Sequence, residues 1–197
     1  MFLFKILQQF RGNMLFDSMM VFLAEALVLA VPAVLVYMWF QGKQGRKDSV
    51  YVFIGVIATL FLSYTLLGTA IQHESPYQTF DTIASGEPEN SFPSQHTATI
   101  LATVPVLYWL KRRKMASILL GLGTVTGISR IYIGEHYLVD ILGSGLAAVL
   151  GFTVIWSLDR TINDKLEKFI NFCYSIQRKI FSYIPYEIEE KLNRQKK

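Results

Sequence analysis

Apolar runs about as long as a bilayer is thick dominate this chain and leave few folds open to it. A hydrocarbon core of about 30 Å takes roughly 20 mostly apolar residues per helix. Five stretches approach that length: Ser18–Phe40, Val50–Ile71, His96–Leu110, Met115–Ile131 and His136–Trp156. The third and fourth are short, and the third contains Pro105, which a bundle tolerates because neighbouring helices satisfy the freed backbone groups. With 52% of its 197 residues hydrophobic, the chain is expected to be all-α, a polytopic membrane helix bundle with five to six membrane-embedded helices.

The flanking segments read differently. The opening MFLFKILQQFRG is too short to span and lacks a small-residue cleavage site, so residues 1–15 are expected to lie in the interface as an amphipathic helix. The bundle would occupy residues 16–158. From about Leu158 the chain turns polar, with Ile162, Leu166, Ile170, Cys173 and Ile180 spaced as a helical apolar stripe among basic residues. Residues 159–197 are therefore expected to form a cytoplasmic amphipathic helical tail. Cys173 is the single cysteine, which excludes an intrachain disulfide, and no Cys/His cluster has zinc-ligand spacing. No metal or other cofactor is expected.

Charge gives the chain a direction. Lys43, Arg46 and Lys47 follow the first run, Lys111 to Lys114 the third, and Arg160, Lys165 and Lys168 the fifth. Alternation puts all three clusters on one side, and the positive-inside rule makes that side cytoplasmic. The segment from Gln72 to Gln95 has no lysine or arginine, so it is expected outside the cell membrane, together with the turn carrying Arg130, Glu135 and His136. The net charge of +4 is explained by topology and gives no reason to expect nucleic acid as a partner; the partners implied are the bilayer and a lipid in it.

Chemistry-bearing residues collect on that outer side. His136 and Asp140 stand four apart at the start of the fifth run, and on a helix they would share a face. A carboxylate there would accept the Nδ1 proton and leave Nε2 with a free lone pair, as a histidine nucleophile requires. An aspartate inside a span costs at least about 2.5–3.5 kcal/mol to insert, which marks Asp140 as functional. Asp17 and Glu25 meet the same test without an evident partner, and a bundle contact or a functional role stays open for Glu25.

Ser94-Gln95-His96 opens the third run, where unpaired amides and the positive helix end favour an anion. Arg130 would hold phosphoryl oxygens in a forked hydrogen bond while the amides around Ser94 and Gln95 take the remaining charge. His136 would attack phosphorus and His96 would protonate the leaving oxygen.

PSQH (Pro93 to His96) and SR-x5-H-x3-D (Ser129, Arg130, His136, Asp140) resemble the second and third signature motifs of the type 2 phosphatidic-acid phosphatase superfamily. The similarity runs from about Asp17 to Trp156. The DSMMVFLAE opening and FPSQHTA look most like its bacitracin-resistance-type undecaprenyl-diphosphate phosphatases. The resemblance implies a phosphatase/haloperoxidase-like helical core and metal-independent hydrolysis of a lipid carrier diphosphate outside the cytoplasm, through a phosphohistidine. It implies His136 as nucleophile, Asp140 as its orienting partner, His96 as general acid, and Arg130 with the Ser94 and Gln95 region as phosphate ligands.

The first family motif, Lys-x6-Arg-Pro, is degenerate here: Gly68 stands at the lysine position and Ser75 at the arginine, while Pro76 and Tyr77 keep the end of the pattern. Each lost charged hydrogen bond is worth about 1.5–3 kcal/mol, a deficit of several powers of ten in rate or affinity. Protonated His73 is expected to compensate in part, and Ser75, Gln72 and Gln78 lie nearby as further donors to the phosphate. Gln95 stands where the family carries Gly or Asp. Phosphatidylglycerol phosphate or phosphatidic acid is the alternative substrate, and a non-catalytic lipid-phosphate-binding member is the alternative class.

Overall fold

A computed structural model describes residues 2–182. The first of its two compact units is Met1–Leu158 and the second begins at Asp159. Helix α1 (Phe2–Gln8) leads into α2 (Met14–Ala26), capped by the Asn13 side chain on the amides of Leu15 and Phe16. A 3-10 turn joins α2 to α3 (Ala30–Trp39). Helix α4 (Gly42–Leu62) continues through a π-helical turn (Ser63–Leu67) into α5 (Gly68–Ala70). After a long loop come α6 (Gln95–Trp109), α7 (Arg113–Ile133) and α8 (Leu138–Ser182).

Four helical stretches are long and apolar enough to cross a membrane: Met14–Trp39, Gly42–Ala70, Arg113–Ile133 and Leu138–Asp159. That is fewer than the five to six expected. The difference is α6, whose 15 residues make a rod of about 22 Å, short of a bilayer core. It is nevertheless central, with Ala98, Ile100, Ala102, Val106 and Leu107 all buried. The long helices instead expose large apolar side chains such as Phe22, Phe53, Phe61, Leu142 and Trp156, the faces a lipid environment requires.

The bundle has two chemically distinct ends. At one, the start of α4 meets the α6–α7 turn through a buried ion pair, Arg112 Nε to Asp48 Oδ2 at 2.6 Å, and Arg112 also reaches Gln41. The basic clusters Lys43–Lys47 and Lys111–Lys114 lie in these same segments. At the other end, α6 begins, α7 ends and α8 begins.

Glycine makes that second end possible. Gly134, at φ +92°, closes α7 in the left-handed conformation, and its amide bonds back to Arg130 and Ile131. The loop folds onto this cap, with Tyr77 N donating to Gly134 O (3.0 Å) and Ala84 N to Ile133 O (2.7 Å). Helix α1 joins the same end: Phe4 is buried, its ring 5.3 Å from Phe80 and 5.7 Å from Tyr137, and Gln8 donates to Tyr132 O. In the second unit Leu166 and Ile170 are buried and Cys173 is half-buried. The side chains of Ile162 and Ile180, and residues 183–197 of the expected tail, lie outside the described residues.

Candidate active site

The loop from 71 to 94 is organised by Asn90. Its side chain accepts from His73 N (2.9 Å) and donates to the carbonyls of Gly68 (2.7 Å) and Ile71 (3.1 Å), while Ser91 N donates to His73 O (2.7 Å). This brings Ser91 and His73 onto Asp140, which is fully buried.

Asp140 is the hub. Oδ2 accepts from the Tyr137 amide (2.7 Å), closing the first turn of α8 as a capping residue does, and from Ser91 Oγ (2.9 Å). Oδ1 lies 2.7 Å from His73 Nδ1. His136 Nδ1 faces Oδ2 at 3.7 Å as an ion-pair contact, beyond hydrogen-bond reach, and has no hydrogen-bond partner. The expectation of a helical His136–Asp140 pair therefore needs correcting. Helix α8 begins only at Leu138, so His136 sits in the turn left by the Gly134 cap rather than one helical turn above Asp140.

His73 is corrected likewise. Instead of joining the phosphate ligands it holds Asp140 from behind and lines a separate cavity of about 570 Å³ with Tyr137 and Leu138. Ser94 is spent on structure. Its amide donates to Asp140 O (3.3 Å), its hydroxyl to Thr97 Oγ1 (3.1 Å), and its carbonyl accepts from Ser144. The amides left over at this helix start belong to Gln95, His96 and Thr97, which have no acceptor within the helix.

His136, Arg130, His96 and Gln95 do come together, lining one cavity of about 460 Å³. Arg130 and His136 also line an adjoining one of about 240 Å³ with Ser75 and Glu135. Buried polar atoms are nearly always hydrogen-bonded, yet Gln95 Oε1, Arg130 Nε, His136 Nδ1 and Ser63 Oγ, all from residues lining the larger cavity, have no partner. Burial lowers the pKa of His136 below the ordinary 6.5, against the pull of Asp140, and so favours the neutral imidazole.

Gly68 lines the larger cavity too, but no side chain fits there without displacement: a Cβ would stand 3.0 Å from Ser63 O and 3.4 Å from Phe92 O.

Both carboxylates of the first apolar run have partners: Asp17 accepts from Tyr132 Oη and Gly12 N, and Glu25 meets two cationic side chains. Glu25, on α2, binds Arg130 Nη1 through Oε1 (2.6 Å) and His96 Nε2 through Oε2 (3.3 Å). Arg130 also pairs with Glu135. A carboxylate inside an apolar run was the only signal for this contact, since its partners lie 71 and 105 residues away.

Two histidines, an arginine and a glutamine gathered in one cavity at the end of a helix bundle are the groups a hydrolase of phosphate esters requires. The family match is specific: residues 50–164 fit the PAP2 superfamily model, and the chain belongs to that superfamily. It is 33% identical over 174 residues to undecaprenyl-diphosphatase BcrC of Bacillus subtilis (strain 168), covering 86% of each chain. Against the putative undecaprenyl-diphosphatase YbjG of Escherichia coli (strain K12) it is 27% identical over 168 residues, covering 81% of this chain and 83% of YbjG. Among solved structures, the PAP2-type phosphatidylglycerolphosphate phosphatase of Bacillus subtilis shares the fold with a TM-score of 0.62 at 22% identity, over 81% of this chain and 84% of that one.

Proposed function

We propose that this protein hydrolyses undecaprenyl diphosphate to undecaprenyl phosphate and inorganic phosphate, through a phosphohistidine at His136. The observation that carries the reading is the cavity shared by His136, His96, Arg130 and Gln95, with its unpaired polar atoms. The similarity to BcrC along most of both chains supports the choice of lipid.

In this reading the His136 Nε2 lone pair attacks the terminal phosphorus. The bond from that phosphorus to the bridging oxygen breaks, and protonated His96 delivers its proton to the departing lipid phosphate. Water then attacks the phosphohistidine, the P–N bond breaks with its electrons returning to Nε2, and His96 recovers a proton from the water. Arg130 and the donors of Gln95 stabilise the equatorial oxygens. Asp140, held in place by His73, Ser91 and Tyr137, lies 3.7 Å from His136 Nδ1 and steadies the positive charge that develops on the imidazole as Nε2 attacks. The site faces out of the cytoplasm, a placement supported by the absence of lysine and arginine from the 72–95 loop.

The test is phosphate release by purified protein in detergent, with and without chelator, from undecaprenyl diphosphate, phosphatidylglycerol phosphate and phosphatidic acid. Release that is fastest from the isoprenoid diphosphate and lost in His136→Ala is expected. Preference for a glycerophospholipid reassigns the substrate, and release that survives His136→Ala refutes the mechanism.

A further inference from the structure

Glu25 lies outside the stretch matched by the family model and outside the lining of the cavity that holds His136 and Arg130, yet it engages two of the groups on which the proposed chemistry depends. Its carboxylate holds Arg130 Nη1 at 2.6 Å and His96 Nε2 at 3.3 Å. An anion bridging a guanidinium and an imidazole makes the contacts a phosphoryl group would make there.

Charge makes the two mutually exclusive. Arg130 already faces two carboxylates, Glu25 and Glu135, and neither Gly68 nor Ser75 adds a cation. A diphosphate entering with both carboxylates in place would be a third anion on one guanidinium, and like charges in contact repel. The carboxylate free to leave is Glu25. Its side chain is 50% exposed against 24% for Glu135, and Glu135 is tied to Arg130 by its own amide, which donates to Arg130 O at 3.1 Å.

We infer that Glu25 is a displaceable internal counter-ion of the phosphate site, holding Arg130 and His96 while the site is empty and yielding both to the phosphoryl group, so that it sets phosphate affinity and helps expel inorganic phosphate. The inference rests on the reading of Arg130 and His96 as phosphate-facing groups. It assigns to Glu25 a role in affinity, with no bond made or broken on it.

The experiment measures inorganic phosphate as a competitive inhibitor and by calorimetry, using the full chain in detergent. Glu25→Gln, which keeps the shape and removes the charge, is expected to bind phosphate at least about tenfold tighter and to show a lower KM. Glu25→Asp, too short to bridge both partners, is expected to fall between the two and serves if the Gln variant does not fold. Unchanged or weaker phosphate binding in these variants overturns the inference. So does equal tightening in Glu87→Gln, which removes a charge from the adjoining cavity without touching Arg130 or His96. Phosphate binding that survives Arg130→Ala refutes the underlying reading instead, since it shows that Arg130 is no phosphate ligand.

Discussion

The two ends of the bundle each place an arginine against carboxylates, with opposite results. At the basic end Arg112 meets Asp48, whose side chain is 3% exposed and is also bonded by Gln44 at 2.7 Å, while Gln41 takes a further guanidinium hydrogen. That arrangement resembles a structural ion pair, with both carboxylate oxygens matched. At the other end Arg130 faces two carboxylates, one half exposed, and keeps Nε unpaired beside the unpaired atoms of Gln95 and His136. The first pair is closed and saturated; the second carries surplus anion, an unmatched guanidinium N–H and an unpaired amide oxygen beside it.

The sharpest break of that comparison is His136→Ala, expected to reduce kcat by roughly 10⁴-fold or more while leaving thermal unfolding in detergent nearly unchanged. Arg130→Ala comes next, at about 10²–10³-fold in kcat/KM, the loss typical for a donor that stabilises developing charge. Arg112→Ala should do the reverse. It strands Asp48 in the interior, and unfolding measurements should show a loss of about 3 kcal/mol, with kcat/KM of the surviving folded protein within about twofold. If Arg112→Ala removes activity without lowering stability, or Arg130→Ala does the opposite, the distinction between the ends collapses.

Smaller effects sharpen it. His73→Ala frees Oδ1 of Asp140 and is expected to lower kcat roughly tenfold, with KM unchanged, the order of effect seen when a supporting hydrogen bond is removed behind a functional group. A change in KM alone would return His73 to the phosphate ligands. The pH profile should move least. Because burial lowers the His136 pKa, its neutral form persists below pH 6.5, so the acid limb of kcat/KM should fall below that value; a limb centred above it contradicts a buried neutral nucleophile.

Much of this was legible in the chain. The apolar runs announced a helix bundle, and the loop without lysine or arginine marked the end where the site lies. The spacing of His96, Arg130 and His136 named groups that do line one cavity. What failed did so for local reasons. Placing His136 on the same helix as Asp140 assumed that α8 starts before it, whereas the Gly134 cap and the Asp140 side chain start the helix at Leu138. His73 looked like a substitute cation because its distance along the chain from the degenerate motif was small. The Asn90 hydrogen bonds turn it toward Asp140 instead.

Hydrophobic length and charge asymmetry act locally and need no knowledge of contacts, so the chain alone announced a membrane helix bundle, its basic and non-basic segments, and four side chains that line one cavity. Which carboxylate meets which cation is set by long-range packing. Asp140 is tied by His73, Ser91 and Tyr137, and Glu25 bridges Arg130 and His96. These pairings join residues up to 105 positions apart, and the packing of α2 and the 71–94 loop against α7 and α8 selects them, a choice no periodicity along the chain encodes.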